Sequence, residues 1–262
     1  YKRQVLRNRG KDKVDRMAIH LKLDTGMHRL GFVESEINEL IVRIKNLKHL
    51  KVVSVFSHLA ASDEPEHDEF TRDQIRSFEN MSDNICNHFN RKIMRHILNS
   101  SGVIRFPEYQ FDMIRLGIGL HGLAATSYEQ DQLEFVSTLK SSISQIKTVR
   151  AGRTIGYSRK GLASKDVRIA TIAIGYADGL DRRLGNGTGK VMIRGVACPT
   201  VGNICMDMCM VDVTDVEAKA GDEVIVFGNS PNVIDVAGWM GTIPYEVLTS
   251  VSHRVKRVYY QE

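Results

Sequence analysis

The fold follows from how residues 17–32, MAIHLKLDTGMHRLGF, are taken. Through residue 24 the side chains alternate, with Ile19, Leu21 and Leu23 set against His20, Lys22 and Asp24. A period of two is a β-strand with one polar face, and Thr25-Gly26 ends it in a turn. The period then changes. Residues 34–46 place Ile37, Leu40, Ile41 and Ile44 on one helical face. A second strand follows at 51–57. A helical stripe over 67–89 carries Phe70, Ile75, Phe78, Met81, Ile85 and Phe89, and a third strand lies at 93–98. Ser100 and Ser101 cap a short helix that stops near Phe106-Pro107, and FDMIRL at 111–116 reads as a fourth strand.

Strands alternating with helices in units of about 30 residues imply a parallel sheet of β/α units. Four such units are half of a (β/α)8 barrel of about 250 residues; a doubly wound sheet is the alternative. Past residue 127 helical periodicity disappears. Candidate strands lie at 138–150, 166–175, 190–197, 204–213 and 222–227. LGNGTGK (184–190) reads as a hairpin and KAGDE (219–223) as a turn, with one helix near 232–240. The expected architecture is α/β plus all-β. A partial (β/α) barrel spans 1–133, and a mostly antiparallel β domain spans 134–262.

The bulk numbers narrow the function classes. Of 262 residues, 42% are apolar and 26% charged, ordinary values for a globular chain. No apolar run approaches the ~18 residues of a membrane helix. The formal charge of +5 concentrates in YKRQVLRNRGKDKVDR at 1–16. No aromatics interleave these charges, so they read as a solvated segment rather than a nucleic-acid arm. Cys86, Cys198, Cys205 and Cys209 do not complete a zinc set, so no metal is expected, and their scatter suits a reducing compartment.

In a β/α barrel the active site lies at the C-terminal strand ends. There the sequence has Lys22, Asp24 and Arg29, then His58, then His96 with Ser100, then Arg115 with Gly117. A barrel interior is ordinarily Val, Ile and Leu, so four cationic or imidazole groups in phase mark a site. Ser100-Ser101-Gly102 and Gly117-Ile118-Gly119 offer backbone N–H groups to an anion such as a phosphate. The Walker pattern is absent, so the carrier is not a Walker-type nucleotide. In the β domain Tyr157, Tyr176 and Tyr245 are flanked by glycine and charge, which suits exposed rims.

At these residues the chain resembles the alanine racemases. HLKLDTGMHRLGF, SHLAASD, HILNSSG, MIRLGIGLHG, GYSR, IGYADGLDRR, VGNICMDM and TIPYEVL occur in that family's order over nearly the whole chain. The resemblance implies pyridoxal 5'-phosphate, racemization of L- and D-alanine for cell-wall precursors, and a cytoplasmic homodimer whose active sites are shared between subunits. It makes Tyr157 the catalytic tyrosine, acting in the partner subunit's site, with His58 supporting it. Arg115 would bond the pyridine nitrogen, with His96 nearby. Ser100, Gly117, Ile118 and Tyr245 would hold the phosphate. Arg29 and the backbone of Met206 would meet the substrate carboxylate. Lys22 matches a lysine that is often carbamylated and orients Arg29. Tyr176 would gate the access path.

Three departures from the family stand out. His28 replaces a usual glycine, and Asn203 occupies a position that is arginine in some relatives. None of this chain's lysines has the context of the family's cofactor lysine, so the chain reads as the C-terminal two-thirds of a racemase, inactive by itself. A ligand- or partner-binding remnant, a racemase of serine or another small amino acid, and a related decarboxylase are the competing readings.

Overall fold

β1 (Met17–Lys22), β2 (Leu50–Phe56) and β3 (Met94–His96) form a parallel sheet in that order. The structure, a computed structural model, describes residues 16–124 and 127–260; all but Arg16 of the basic run at 1–16 lies outside them. α1 (Ile37–Asn46) and α2 (Asp68–Asn87) make the two crossovers. The apolar face expected for α1 is the one buried: Ile37, Leu40, Ile41 and Ile44 pack with Leu21, Leu23, Val52 and Val55 of the strand region. Ile75, Phe78, Met81 and Ile85 of α2 join the same core, whereas Phe70, at the start of that stripe, is exposed.

The register of the sheet is not uniform. Ile19 pairs with Val52, but His20 pairs with Ser54, so one extra residue of β2 is accommodated between them. Beyond this bulge Lys22, Phe56 and His96 fall side by side at the three strand ends. A bulge re-aims side chains, and here it aligns the polar face of β1 with the ends of β2 and β3.

The fourth expected strand, 111–116, is not a strand. Phe111 has φ 51°, and the backbone–backbone bonds of the segment to its neighbour are Asp112 N–H to Arg95 O and Arg115 N–H to Leu98 O. Those bonds fall three residues apart on both sides, whereas a ladder needs two. The segment follows α3 (Ser100–Arg105), which Asn99, not Ser100 or Ser101 as expected, caps by accepting from the Gly102 N–H; the two serines are its first helical residues. The third strand is also shorter than the expected 93–98.

The chain divides into two units, Tyr1–Glu134 and Phe135–Glu262. The first ends just after a helical turn, α4 (Ser127–Gln130). In the second unit β4 (Leu139–Val149) and β7 (Val167–Ile172) are the longest strands, with the two-residue pair β5 (Thr154–Ile155) and β6 (Gly161–Leu162) between them. β8 (Lys190–Ile193), β9 (Val196–Pro199), β10 (Cys209–Asp212) and β11 (Glu223–Phe227) complete an antiparallel sheet of order β10-β7-β4-β11-β8-β9. Its two ends meet through a Thr200–Val211 bridge, so the sheet nearly closes.

Three sequence expectations change here. LGNGTGK is not a hairpin: Asn186 and Gly187 take the left-handed turn conformation, but no strand precedes it to pair with β8. The hairpin lies instead at Arg194-Gly195, both at positive φ, which splits the expected 190–197 strand into β8 and β9. Residues 204–208 are a loop rather than the start of β10. The helix near 232–240 is α5 (Val233–Met240), capped reciprocally by Asn232 and Asp235, and α6 (Pro244–Ser250) follows it.

Candidate functional site

In the first unit the site is built on the ends of β1, β2 and β3. Just past β1, Asp24 Oδ1 accepts the N–H groups of Gly26 (3.1 Å) and His28 (2.9 Å) and folds the turn. Ser57, past β2, donates to the Leu23 carbonyl at 2.8 Å and lies 2.8 Å from Thr25 Oγ1. These bonds lock the two loops together where Lys22 and His58 emerge.

Arg115 is the centre of the polar cluster. Its Nη2 donates to the carbonyls of Ser57 (2.6 Å) and Ile97 (3.1 Å) and lies 3.4 Å from His58 Nδ1. Its Nη1 donates to His96 Nδ1 at 2.6 Å and to the His96 carbonyl at 3.2 Å. Among the described residues its Nε–H meets no acceptor. Three backbone carbonyls therefore fix the guanidinium in a plane and leave one donor for a ligand. His96 stacks on Phe56 (centroids 5.1 Å apart, planes 7° apart), and Lys22 Nζ and Arg115 Cζ lie 5.6 and 5.5 Å from the same ring.

The electrostatics are one-sided. Burial, then Arg29 and Arg115, lowers the Lys22 pKa, with Asp24 opposing. Burial, then Arg115, Arg29 and Lys22, lowers that of His58. His96 is pushed down to about 4, by burial first and then by Arg115. Both imidazoles are thus neutral at pH 7, and among the described residues Asp24 is the carboxylate that balances the cations beside them. Such a cluster is suited to anionic groups.

Ser100 is buried at the start of α3, and its Oγ accepts from Gly117 N–H (2.9 Å) and Gly119 N–H (3.2 Å). This holds the 117–119 loop against the start of α3. The N–H groups of Ser100, Ser101 and Ile118 have no acceptor among the described residues, so they stay available. Arg29 sits in the exposed loop after Asp24, with no hydrogen-bond or ion-pair partner among the described residues. His28, beside it, has φ 54°. That left-handed backbone is what a glycine adopts without strain, which accounts for the residue that the resemblance leads one to expect there.

In the second unit Tyr157 opens a short turn and is 71% exposed. Asn203 Nδ2 donates to the Tyr157 carbonyl at 3.2 Å, and Asn186 Nδ2 to Asn203 Oδ1 at 3.1 Å. The same 203–208 loop carries Met206. Tyr176 N–H donates to Cys205 O (3.0 Å) and Ala177 N–H to Met206 O (2.9 Å). A Cβ on Gly175 would overlap both of those carbonyls, so this close approach needs glycine. Tyr157, Asn203, Met206 and Tyr176 are thereby gathered around one loop, with the Met206 N–H free of any acceptor among the described residues. Tyr245, on α6, is half-exposed. Asp207 and Asp178 share Arg254, at 2.6 and 2.7 Å.

The sequence reading missed Phe56, Ser54 and Ser57. For Ser54 and Phe56 the signal is period two on β2, informative only with the register against His20, Lys22 and His96; Ser57, past the strand, carries none.

Two family models account for most of the chain: alanine racemase, N-terminal domain, over residues 3–125, and alanine racemase, C-terminal domain, over 136–259. The solved alanine racemase of Bartonella henselae, with covalently bound pyridoxal phosphate, matches at 30% identity with a TM-score of 0.81, over 94% of this chain and 67% of that one. The chain belongs to the alanine racemase family. The alanine racemase of Clostridium kluyveri is 38% identical over 258 residues, 95% of this chain and 65% of that protein. The structure of the Streptomyces lavendulae enzyme, from a D-cycloserine producer, matches at 32% identity with a TM-score of 0.86, over 94% of this chain and 66% of that one. The chain thus spans about 65% of the length of the curated relatives it matches. Its partial barrel and its nearly closed antiparallel sheet are the family's two domains.

Proposed function

We propose that the protein of which these residues are part interconverts L- and D-alanine with pyridoxal 5'-phosphate, and so supplies D-alanine for cell-wall precursors in the cytoplasm. The observation that carries this reading is Arg115, a half-buried guanidinium fixed by three carbonyls and His96, with one donor left over.

The donor set suits that cofactor. The free N–H groups of Ser100, Ser101 and Ile118, with Gly117 beside them, are the right chemistry for its phosphate, and Tyr245 would join them. The Arg115 Nε–H suits an unprotonated pyridine nitrogen, because a guanidinium does not give up its proton. His96 would lie near the ring. When bound, pyridoxal phosphate supplies an electron sink for the charge left at Cα when its proton is removed.

The chain's own residues then have separable tasks. Tyr157 would hold or remove the Cα proton on one face, in the partner subunit's site, as the exposure of its ring suits. A free tyrosine has a pKa of ~10. His58 is neutral, so it would orient the phenol by hydrogen bonding, while the charges of Arg115, Lys22 and Arg29 favour the phenolate. Arg29, steadied by Lys22, and the Met206 N–H would bind the substrate carboxylate. Tyr176 would narrow the approach. The second base of the pair is a lysine with no match among these 262 residues. In this reading two copies of the chain form a homodimer.

Racemization of L-alanine by the purified full-length protein, followed by circular dichroism with added cofactor, tests the reading. Loss of optical activity that Tyr157→Phe abolishes is the expected result. No turnover of alanine, or faster turnover of serine, would overturn it.

A further inference from the structure

Behind Arg115, His96 leads to two residues, Ser54 and His20, that have no part in the proposed function. His96 Nε2 is 3.2 Å from Ser54 Oγ, and Ser54 Oγ is 2.6 Å from His20 Nδ1. Ser54 is fully buried, and the bulge between Ile19 and His20 is what sets His20 beside it.

The direction of these bonds follows from the chemistry of each group. Arg115 only donates, so His96 Nδ1 is the acceptor and carries no proton. The proton of a neutral His96 is therefore on Nε2 and points at Ser54 Oγ. Ser54 accepts it and can turn its own proton onto His20 Nδ1. Were His96 protonated on Nδ1, two donors would face each other across 2.6 Å. Were Ser54 absent, the Nε2–H would be buried without an acceptor.

We propose that Ser54, backed by His20, is a positioning residue for Arg115: it holds His96 in the Nε2–H tautomer, so that Nδ1 stays an acceptor for the guanidinium. The run Arg115 → His96 → Ser54 → His20 is a one-way series of donors. Ser54 and His20 touch neither substrate nor cofactor in the proposed function. Its link to catalysis rests on that reading, but its link to the tautomer does not. The strong depression of the His96 pKa agrees with a ring kept neutral.

The test is NMR of the imidazole nitrogens in the full chain labelled with 15N-histidine. The expected wild-type signal for His96 is a single Nε2–H tautomer. Ser54→Ala should replace it with a mixture of tautomers, and Ser54→Thr, which keeps the hydroxyl, should restore the single form. Should Ser54→Ala fail to fold, His20→Ala should give the mixture and His20→Asn, with an oxygen where Nδ1 was, should not. A His96 signal unchanged in Ser54→Ala or His20→Ala would overturn the proposal, since Arg115 alone would then set the tautomer. In the racemase reading kcat of Ser54→Ala falls roughly 10-fold, as at the low end for groups that orient metal-bound histidines, with KM unchanged. An unchanged kcat would overturn the positioning role. Absence of turnover in the wild type would count against the racemase reading alone, because the NMR result needs no turnover.

Discussion

Arg115 Nη1 lies 2.6 Å from His96 Nδ1, a contact that holds only while that ring nitrogen is an acceptor. A guanidinium cannot accept, so the imidazole must, and an accepting imidazole is neutral. For a buried ring beside a cation that is also the low-energy state.

Stability should therefore depend on pH through His96. Its folded pKa of about 4 lies below the ~6.5 of an unfolded histidine. Between these values the unfolded chain binds more protons, so the stabilising contribution is full above about pH 6.5 and is lost as pH falls through 4. The difference is of the order of 3 kcal/mol. Urea unfolding at a series of pH values should show the decline, and His96→Asn should flatten it. An identical slope in the variant would place the pH dependence on other groups.

Arg115→Gln should cost about 2–3 kcal/mol, because the carbonyls of Ser57, Ile97 and His96 lose their charged donor. The His96 pKa should rise in the same variant. It should stop short of the free value, since burial is the larger cause of the shift and remains. Denaturation and NMR titration read the two effects separately.

Tyr157→Phe should leave the fold intact, since the ring is exposed and its carbonyl, not its hydroxyl, bonds Asn203. Racemization should fall by ~10²–10⁴, the usual effect of losing a general acid–base group. A small change in rate would reduce Tyr157 to a surface residue.

Gly175→Ala should push the Cys205–Met206 backbone away and destabilise the protein by roughly 1–3 kcal/mol, as overpacking does. Because Met206 carries the free N–H, KM for the amino acid should rise more than kcat falls. A thermal melt and steady-state kinetics on one preparation distinguish this from simple unfolding.

His28→Gly should stabilise the chain slightly. A non-glycine residue at φ 54° is strained by about 1–2 kcal/mol, which exceeds the 0.5–1 kcal/mol of extra entropy that glycine loses on folding. The exposed 3.7 Å contact between His28 and Asp24 contributes little against this. A lower Tm in the variant would show that the contact outweighs the strain.

Local pattern determined much of this protein. The faces of α1 and α2, the turn after Lys22 and the antiparallel character beyond residue 127 are all legible, because helix and strand periods depend on neighbours within a few residues. The line-up of Lys22, His58, His96 and Arg115 was legible too, since each follows one repeat of the same unit. FDMIRL was misread because its alternation matches a strand, while Phe111 enters it in a left-handed conformation that no local pattern announces. Ser54 and Phe56 were invisible as site residues. Their place beside His20, Lys22 and His96 is set by a one-residue bulge in a pairing between segments more than thirty residues apart. Registers of that kind are chosen by long-range packing, so only the tertiary structure decided them.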